Sequence, residues 1–368
     1  MKVLVTGTSG FIAKNLISSL KTTPNIEIFT YSKDTSENEL ENMIDNVEFI
    51  YHIAGVNRPK NKEDFYQGNT GLTQLIIDMI ERKGKKIPIL LSSSKQVGNG
   101  SDYAKSKEQS ENIILEYSKR NNINCFIYRL PNVFGKWSKP NYNSVIATWC
   151  YNITRDLEIL VNNKETELEL AYIGDVVHSF LDRLYVNQSN EIFYTINNTY
   201  IKTLGEIEDL LIQFKQSRKT LLIPKIAKGF ERVLYATYLS YLPTDKFSYK
   251  LDGNKDNRGT FYEILKTLES GQLGISTTKP GITRGNHYHH TKNEKFLVLK
   301  GEALIELRDI NSKKVIQYCV SGDDLEIVEM IPGYTHNITN TGSEEMVLLI
   351  WANESYNPNQ PDTRFLEV

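Results

Sequence analysis

The pattern of the chain changes near residue 245, and this change constrains the fold more than any other feature. Before it, short β-rich segments alternate with amphipathic helical segments, beginning with 2–6 and 10–21. Such alternation is typical of a parallel sheet with helices on both faces. After it, residues 258–352 hold closely spaced short strands with Gly, Asn and Pro turns, which indicates a sandwich or barrel. We expect an α/β doubly wound domain of the Rossmann type at 1–245 and an all-β domain at 246–368.

The composition excludes several classes of protein. Lys and Arg number 43 and Asp and Glu 45, so the formal net charge is −2. Charges this balanced leave no strongly basic face for nucleic acid or for an anionic membrane. The three cysteines are far apart and form no CxxC pair, which fits a reducing compartment. Because no apolar run is long enough for a membrane span or a signal peptide, we expect a soluble, cytoplasmic protein.

Residues 6–13 follow the first predicted strand and open the first predicted helix, where a dinucleotide fingerprint occurs. Gly7 permits the tight turn, Gly10 lets the backbone approach a pyrophosphate, and Ala13 allows close packing of the helix on the strand. The positive end of the helix would face the phosphates. On its own the motif is weak, because an ordinary strand-to-helix turn can look the same.

Tyr103 and Lys107 lie four residues apart at the start of a predicted helix and so share one face. An ammonium beside a phenol favours the phenolate, which makes the tyrosine a usable proton donor or acceptor near neutral pH. Ser94 ends the fourth predicted strand and is placed to orient a carbonyl group. On these residues alone, a surface Tyr/Lys pair is the alternative.

Taken together, the motifs of residues 1–242 resemble those of the extended short-chain dehydrogenase/reductase family. They occur in the family's order, as the glycine motif, 51–55, 68–71, 91–94, Tyr103 with Lys107, 129–135 and 172–177.

The resemblance to extended reductases implies a role for each matched residue. Tyr103 would be the catalytic acid, Lys107 would bind the nicotinamide ribose and lower the pKa of Tyr103, and Ser94 would donate a hydrogen bond to the reacting oxygen. The cofactor would be bound at Gly7, Gly10, Phe11, Ile12, Ala54, Asn69 and Lys107.

The end of the second predicted strand indicates which nicotinamide cofactor is used. NAD-binding proteins place an acidic side chain there for the ribose 2′-hydroxyl. The chain instead offers Ser32 and Lys33, which suit a 2′-phosphate, while Asp34 comes one or two positions too late. We therefore expect NADP(H), with Ser32 and Lys33 as further cofactor-binding residues. A merely solvated Lys33 is the alternative.

Three histidines and a glutamate in the second half have the spacing of a metal site. His287 and His289 alternate along a predicted strand and so point the same way, Glu294 follows five residues later, and His336 adds a third imidazole. Such a set suits a divalent transition metal. The pattern resembles the two motifs of the cupin family of jelly rolls, which implies these four residues as ligands. His290 is a spare imidazole that we expect at the rim, with a proton-transfer group as the alternative. A metal-free cupin with a histidine base is the alternative.

An extended reductase joined to a cupin resembles the bifunctional nucleotide-sugar enzymes of capsular polysaccharide synthesis. A 4-keto group acidifies the neighbouring protons, a cation can stabilise the resulting charge, and a hydride site can then reduce the same ketone. The resemblance implies that the cupin epimerises a UDP-4-keto-6-deoxy-N-acetylhexosamine at C3 and that the first domain reduces C4 with NADPH. The product would be UDP-2-acetamido-2,6-dideoxy-L-talose, on the route to UDP-N-acetyl-L-fucosamine. Zinc as the metal and a homodimeric assembly are also implied.

Three other functions remain open on the sequence. The cupin could serve only for dimerisation beside a nucleotide-sugar reductase. A non-catalytic NADP-sensing regulator is a second alternative, although it would not need the Tyr103/Lys107 pair. A UDP-sugar 4-epimerase or dehydratase is the third. A dehydratase would need an acidic residue near the tyrosine, and Asp102 is adjacent, but we expect Asp102 to be the N-cap of the helix.

Overall fold

A computed structural model describes residues 1–186, 191–357, 359 and 361–368. The chain divides into two compact units, one of Met1–Ile212 with Ala227–Pro243 and one of Gln213–Ile226 with Thr244–Val368. Domains at 1–245 and 246–368 remain a prediction. Among the described residues, no helix is both long enough and apolar enough to span a membrane.

The first unit contains nine described strands. They are β1 (Lys2–Thr6), β2 (Glu27–Tyr31), β3 (Phe49–His52), β4 (Ile89–Ser94), β5 (Cys125–Leu130), β6 (Asn132–Phe134), β7 (Glu167–Tyr172), β8 (Phe193–Tyr194) and β9 (Thr199–Thr203). Six of them form one sheet in the order β2-β1-β3-β4-β5-β8, and β6, β7 and β9 form a smaller one. All neighbours in the larger sheet run parallel.

Helices alternate with these strands along the chain. They are α1 (Phe11–Leu20), α2 (Glu37–Ile44), α3 (Glu63–Phe65), α4 (Leu72–Arg82), α5 (Asp102–Asn121), α6 (Val145–Thr154), α7 (Ile173–Leu181), α8 (Leu204–Thr220) and α9 (Gly229–Leu239). Short 3₁₀ turns span Asp182–Tyr185 and Thr244–Lys246.

The parallel sheet is buried on both faces, as β1 illustrates. Val3 and Val5 belong to a core shared with α1 and α7, whereas Leu4 belongs to a core shared with α2, α4 and α5. Successive side chains of a strand point to opposite faces, and burying an aliphatic side chain contributes about 1.5–3 kcal/mol. A nearly continuous apolar strand is therefore stable only between two helical layers. The predicted doubly wound α/β fold is confirmed.

The helical segment that follows β3 is not continuous. A π-helical turn, Tyr66–Gly71, separates α3 from α4. The turn contains Gly68 and Gly71, which weaken a regular helix, and π-bulges frequently occur at functional sites. This turn buries the side chain of Asn69.

The second unit is built from antiparallel strands. They are β10 (Gly253–Lys255), β11 (Thr260–Lys266), β12 (Gln272–Thr278), β13 (Thr283–Tyr288), β14 (Glu294–Lys300), β15 (Glu302–Asp309), β16 (Val315–Ser321), β17 (Ile327–Met330), β18 (Tyr334–Asn340), β19 (Met346–Ala352) and β20 (Arg364–Phe365). They form two sheets, in the orders β10-β11-β12-β19-β14-β17 and β16-β15-β18-β13-β20.

Alternating inward-facing side chains build the core of this second unit. In β14 every second residue from Glu294 to Val298 is buried, and Val298 packs in a cluster with Ile305 and Ile338 of the other sheet. Alternation of this kind is expected when two sheets pack face to face. The predicted all-β cupin architecture is confirmed.

Candidate active site and candidate metal centre

The glycine turn after β1 has the geometry of a dinucleotide-binding loop. Gly7 has φ +73°, and a Cβ there would lie 2.6 Å from the Cα of Ala54, so only glycine fits. The Gly10 N–H donates to the Gly7 carbonyl at 2.8 Å. Gly10 is the N-cap of α1, and no described side chain caps it. The N–H groups of the first helical residues, Phe11 and Ile12, are thus suited to an anion.

A buried hydrogen-bond network of polar side chains supports this turn. The Thr6 hydroxyl accepts the N–H groups of Ile53 and Ala54 at 3.1 and 3.0 Å and lies 2.9 Å from His52 Nδ1. The other ring nitrogen of His52 lies 2.9 Å from the Thr73 hydroxyl. Burial lowers the pKa of His52 to about 3, so the ring stays neutral. The sequence alone did not predict this network, although polar residues at the ends of buried strands pointed to it.

Asn69 ties the loop after β3 to helix α5. Its Oδ1 accepts the Val56 N–H at 2.8 Å, and its Nδ2 donates to the Ser106 hydroxyl at 2.9 Å. A Cβ on Gly55 would lie 3.2 Å from Asn69 Oδ1 and 3.1 Å from Lys107 Nζ. The structure therefore brings two of the predicted cofactor-binding residues together around the backbone of Gly55.

The predicted catalytic residues converge at the carboxyl end of β4. Ser94, the last residue of β4, lowers the pKa of Tyr103 on α5, but burial is the larger effect and raises it overall. Lys107 Nζ donates to the Ser92 carbonyl at 2.8 Å, and burial lowers its pKa to about 8. The expected lowering of the Tyr103 pKa by Lys107 is not seen.

An ion pair between Glu111, which is buried, and Arg129, whose side chain is 40% exposed, lies next to Ser93. The Glu111 carboxylate accepts the Ser93 hydroxyl at 2.5 Å and two guanidinium N–H groups of Arg129 at 3.0 and 2.6 Å. Its charge favours protonated Lys107, against the effect of burial. Glu111 holds the side chain of Ser93, which lies between Ser92 and Ser94. The Glu111–Arg129 ion pair therefore fixes the end of β4. Sequence reasoning did not find Glu111.

Asp102 is not the N-cap of α5, so this expectation was wrong. The N-cap is Ser101, whose hydroxyl accepts the Ala104 N–H at 3.2 Å. Asp102 is the first helical residue; it accepts the Tyr66 hydroxyl at 3.3 Å and lies 3.4 Å from Lys62 Nζ. An acidic group in the first turn also suits the helix dipole.

The end of β2 lies against the glycine turn, as the cofactor prediction requires. The Gly7 N–H donates to the Tyr31 carbonyl at 2.9 Å. Ser32, the next residue, has its hydroxyl bonded to the Asp34 N–H at 3.2 Å, while Lys33 is exposed. Lys33 is thus the more accessible of the two side chains expected to meet a 2′-phosphate.

In the second unit, the four predicted ligands form one cluster. Their candidate ligand atoms all lie within 4.8 Å of one another. His287 on β13 pairs in register with His336 on β18, His289 follows β13, and Glu294 begins β14. One carboxylate oxygen of Glu294 lies 3.6 Å from the Nε2 atoms of both His289 and His336.

The chemistry of this cluster fits a divalent metal ion. The Nε2 atoms of His289 and His336 are buried and have no hydrogen-bond partner among the described residues, an arrangement that is costly without a ligand. The Nδ1 atom of His289 contacts the Asp362 carbonyl, which leaves the Nε2 lone pair for a metal. Burial lowers the pKa of His287 to about 4, so that ring is neutral, as a ligand must be.

Two residues beside the cluster were missed at the level of sequence. Lys292 Nζ lies 2.7 Å from the second carboxylate oxygen of Glu294. Asp362 accepts hydrogen bonds from the turn that follows His289. His290 is exposed, as expected of a rim residue, and is not part of the cluster.

Comparison with known proteins accounts for both halves of the chain. Residues 3–193 match the NAD dependent epimerase/dehydratase family, and residues 254–364 match the polysaccharide biosynthesis C-terminal domain. The chain is 44% identical to the UDP-2-acetamido-2,6-beta-L-arabino-hexul-4-ose reductase of Pseudomonas aeruginosa, over 99% of this chain and 98% of the relative. The chain belongs to the family of this reductase. The family predicted from the motifs is thereby confirmed, and membership in the reductase family implies a nicotinamide cofactor.

Solved structures agree with this assignment. The capsular polysaccharide assembling protein CapF of Staphylococcus aureus matches with a TM-score of 0.94 and 48% identity, covering 100% of both chains. The UDP-glucose 4-epimerase of Thermotoga maritima covers 66% of this chain with a TM-score of 0.56 and 16% identity, a likeness that shows the fold alone. The Bacillus subtilis protein SpsL, of spore coat polysaccharide biosynthesis, is 28% identical over 31% of this chain.

Proposed function

We propose that this protein acts twice on one UDP-4-keto-6-deoxy-N-acetylhexosamine. The metal centre epimerises the sugar at C3, and the first unit then reduces the C4 ketone with NADPH. The observation that carries the proposal is the presence, in one chain, of the Tyr103–Ser94 pair beside a dinucleotide turn and of a buried His₃Glu cluster. Full-length similarity to the Pseudomonas aeruginosa reductase supports the substrate class.

For the reduction, bound NADPH supplies the hydride for C4. Tyr103 donates its phenolic proton to the oxygen of the former ketone, and Ser94 donates a hydrogen bond to the same oxygen. Because burial raises the pKa of Tyr103, the phenol is protonated at neutral pH and is ready to act as an acid. Lys107, held by the Ser92 carbonyl, binds the ribose of the cofactor.

For the epimerisation, His287, His289, Glu294 and His336 would hold the metal, with zinc preferred. A bound divalent cation would supply Lewis-acid stabilisation of the negative charge that develops when a base takes up the C3 proton. Reprotonation on the opposite face inverts C3. Reduction at C4 then fixes the configuration and gives UDP-2-acetamido-2,6-dideoxy-L-talose, for use in capsular polysaccharide synthesis by way of UDP-N-acetyl-L-fucosamine.

Domain ranges of 1–245 and 246–368 and a homodimeric assembly complete the proposal. Both are supported by the motif resemblance described above. Light scattering of the full-length protein tests the assembly, because a mass of one chain at working concentration would contradict it.

Oxidation of NADPH in the presence of the UDP-4-keto sugar tests the reductase function. We expect turnover with this substrate and none with UDP-N-acetylglucosamine, which lacks the ketone. No oxidation of NADPH or NADH with the keto sugar would contradict the proposal and would favour a non-catalytic nucleotide-binding function.

The pH dependence of the reductase is expected to follow Lys107. Its pKa of about 8 means that the ammonium is present below this pH and is lost above it. We therefore expect kcat/KM for NADPH to be level near neutrality and to fall by about tenfold per pH unit above about pH 8. Tyr103 remains protonated across this range, because its pKa is raised. In Lys107→Met, kcat/KM should be lower and should no longer fall above about pH 8. An unchanged fall would show that another group titrates there.

Cofactor choice is expected to depend on Lys33. Lys33→Ala removes the exposed cation at the end of β2, and an exposed ion pair contributes about 1 kcal/mol or less. We expect kcat/KM for NADPH to fall by about fivefold, while kcat/KM for NADH is unchanged. The matched control is Lys21→Ala, an exposed lysine just after α1, which should alter neither value. Equal losses with both cofactors would show that Lys33 does not recognise a 2′-phosphate.

A further inference from the structure

A short segment after the last core strand lies along the metal centre. Residues 362–366, here named the strap, include β20, which pairs with β13 at His287 and Tyr288. The Leu366 N–H donates to the Asn286 carbonyl at 3.0 Å, and the Leu366 carbonyl accepts the hydroxyl of Thr335. The strap thus contacts the strands that carry His287 and His336.

Asp362 begins the strap and caps the turn between two candidate ligands. Its carboxylate accepts the N–H groups of three successive residues, His290 at 3.0 Å, Thr291 at 2.6 Å and Lys292 at 2.9 Å. The Thr291 hydroxyl donates a fourth hydrogen bond at 2.9 Å. Successive backbone N–H groups of this kind form a concave site for an anion, and here the anion is a side chain of the protein itself.

The same residue also fixes the ring of a ligand. The carbonyl oxygen of Asp362 contacts Nδ1 of His289, so that Nδ1 carries the proton and Nε2 the lone pair. At the other end of the capped turn, Lys292 pairs with Oε1 of Glu294 at 2.7 Å, which leaves Oε2 facing the imidazoles. One residue therefore acts on the orientation of His289 directly and on Glu294 through the turn.

We propose that Asp362 is a positioning residue for the metal centre. It holds the turn 290–292 and the ring of His289 in the geometry that binds the ion, without itself being a ligand. The inference rests on the proposed function only in requiring that the His₃Glu cluster hold a metal. Groups that orient metal ligands are commonly needed for full affinity.

Asp362→Asn tests the role of the carboxylate with almost no change of shape. An amide keeps one oxygen but turns an NH₂ group toward a backbone N–H donor, so at least one hydrogen bond becomes a repulsion. We expect the affinity for Zn²⁺, measured by competition with a chromophoric chelator, to fall by about 10–100-fold. The Co²⁺ absorption spectrum should change in band position, because the ligand geometry changes and not only the occupancy.

Two further variants make the result specific. Thr291→Val removes one of the four hydrogen bonds to Asp362 and should weaken Zn²⁺ binding less than Asp362→Asn does. It also provides the test if Asp362→Asn does not fold. Asp323→Asn, an exposed aspartate in the turn between β16 and β17, is the matched control and should bind Zn²⁺ as the wild-type protein does.

The outcomes separate this inference from the proposed function. Wild-type protein that binds no metal would overturn both. If the wild-type protein binds Zn²⁺ and Asp362→Asn retains the same affinity and Co²⁺ spectrum, the inference alone is overturned. If Asp362→Asn does not fold, the same result with a folded Thr291→Val overturns it. Hydrogen exchange in the metal-free protein gives an independent readout, because the amides of 290–292 should exchange faster in Asp362→Asn and not in Asp323→Asn.

Discussion

Tyr103→Phe is expected to abolish NADPH oxidation while deuterium from D₂O still enters C3 of the substrate. The phenylalanine ring keeps the burial of Tyr103 and its contact with Phe65, whose ring centroid lies 5.9 Å away, but it has no proton to give. Loss of a general acid costs about 10²–10⁴-fold in rate. Cofactor oxidation is followed by absorbance and deuterium incorporation by NMR, on the same sample.

The control for this variant is Tyr117→Phe on the same helix. The Tyr117 hydroxyl bonds to the backbone of Ile87, away from Ser94, so this variant should lose stability but keep both activities. If folded Tyr103→Phe lost deuterium exchange together with reduction, the two steps would share one site and the proposal would be wrong. If Tyr103→Phe kept its full rate of NADPH oxidation, Tyr103 would not be the acid.

His289→Ala is expected to have the converse effect. Removing one of four ligands from a buried cluster should weaken Zn²⁺ binding by more than about 100-fold, since the loss of an orienting group alone costs about 10–100-fold. Deuterium exchange at C3 should then stop. NADPH oxidation should stop too with the original keto sugar, but it should recover when His289→Ala is mixed with Tyr103→Phe, because each variant supplies the step that the other lacks.

The neighbouring histidine provides the matched control. His290→Ala alters an exposed residue next to His289 and should leave the metal content unchanged, as measured by mass spectrometry of dialysed protein. Failure of the two variants to complement each other, with both folded and the Tyr103→Phe protein metal-loaded, would contradict a sequence of two separable steps.

The fold was predictable because its determinants are local. The alternation of apolar strands and amphipathic helices predicted a parallel sheet that is covered on both faces. Val3 and Leu4 confirm this, because they belong to cores on opposite faces. The glycine turn was readable for a similar reason, because Gly7 must have positive φ and closely approaches Ala54. The metal cluster was found from the short spacing of His287, His289 and Glu294 and from His336, a third imidazole further along the chain.

The features that were not predicted depend on long-range contacts or on small differences between competing local interactions. Asp362 is 71 residues from Thr291, with which it shares a hydrogen bond, and no spacing in the sequence relates the two. The pKa of Tyr103 is raised because burial outweighs the effect of Ser94, and the spacing to Lys107 does not reveal this. At the start of α5, Ser101 and Asp102 are both good N-caps, and the structure uses Ser101.

Incubation of the wild-type, metal-loaded protein with the UDP-4-keto-6-deoxy-N-acetylhexosamine and NADPH in D₂O reports both steps in a single product. We predict an alcohol at C4 formed with one equivalent of NADPH oxidised, deuterium at C3, and inverted configuration at C3 in the NMR spectrum. A product reduced at C4 but carrying only protium at C3, with the original C3 configuration, would contradict the account.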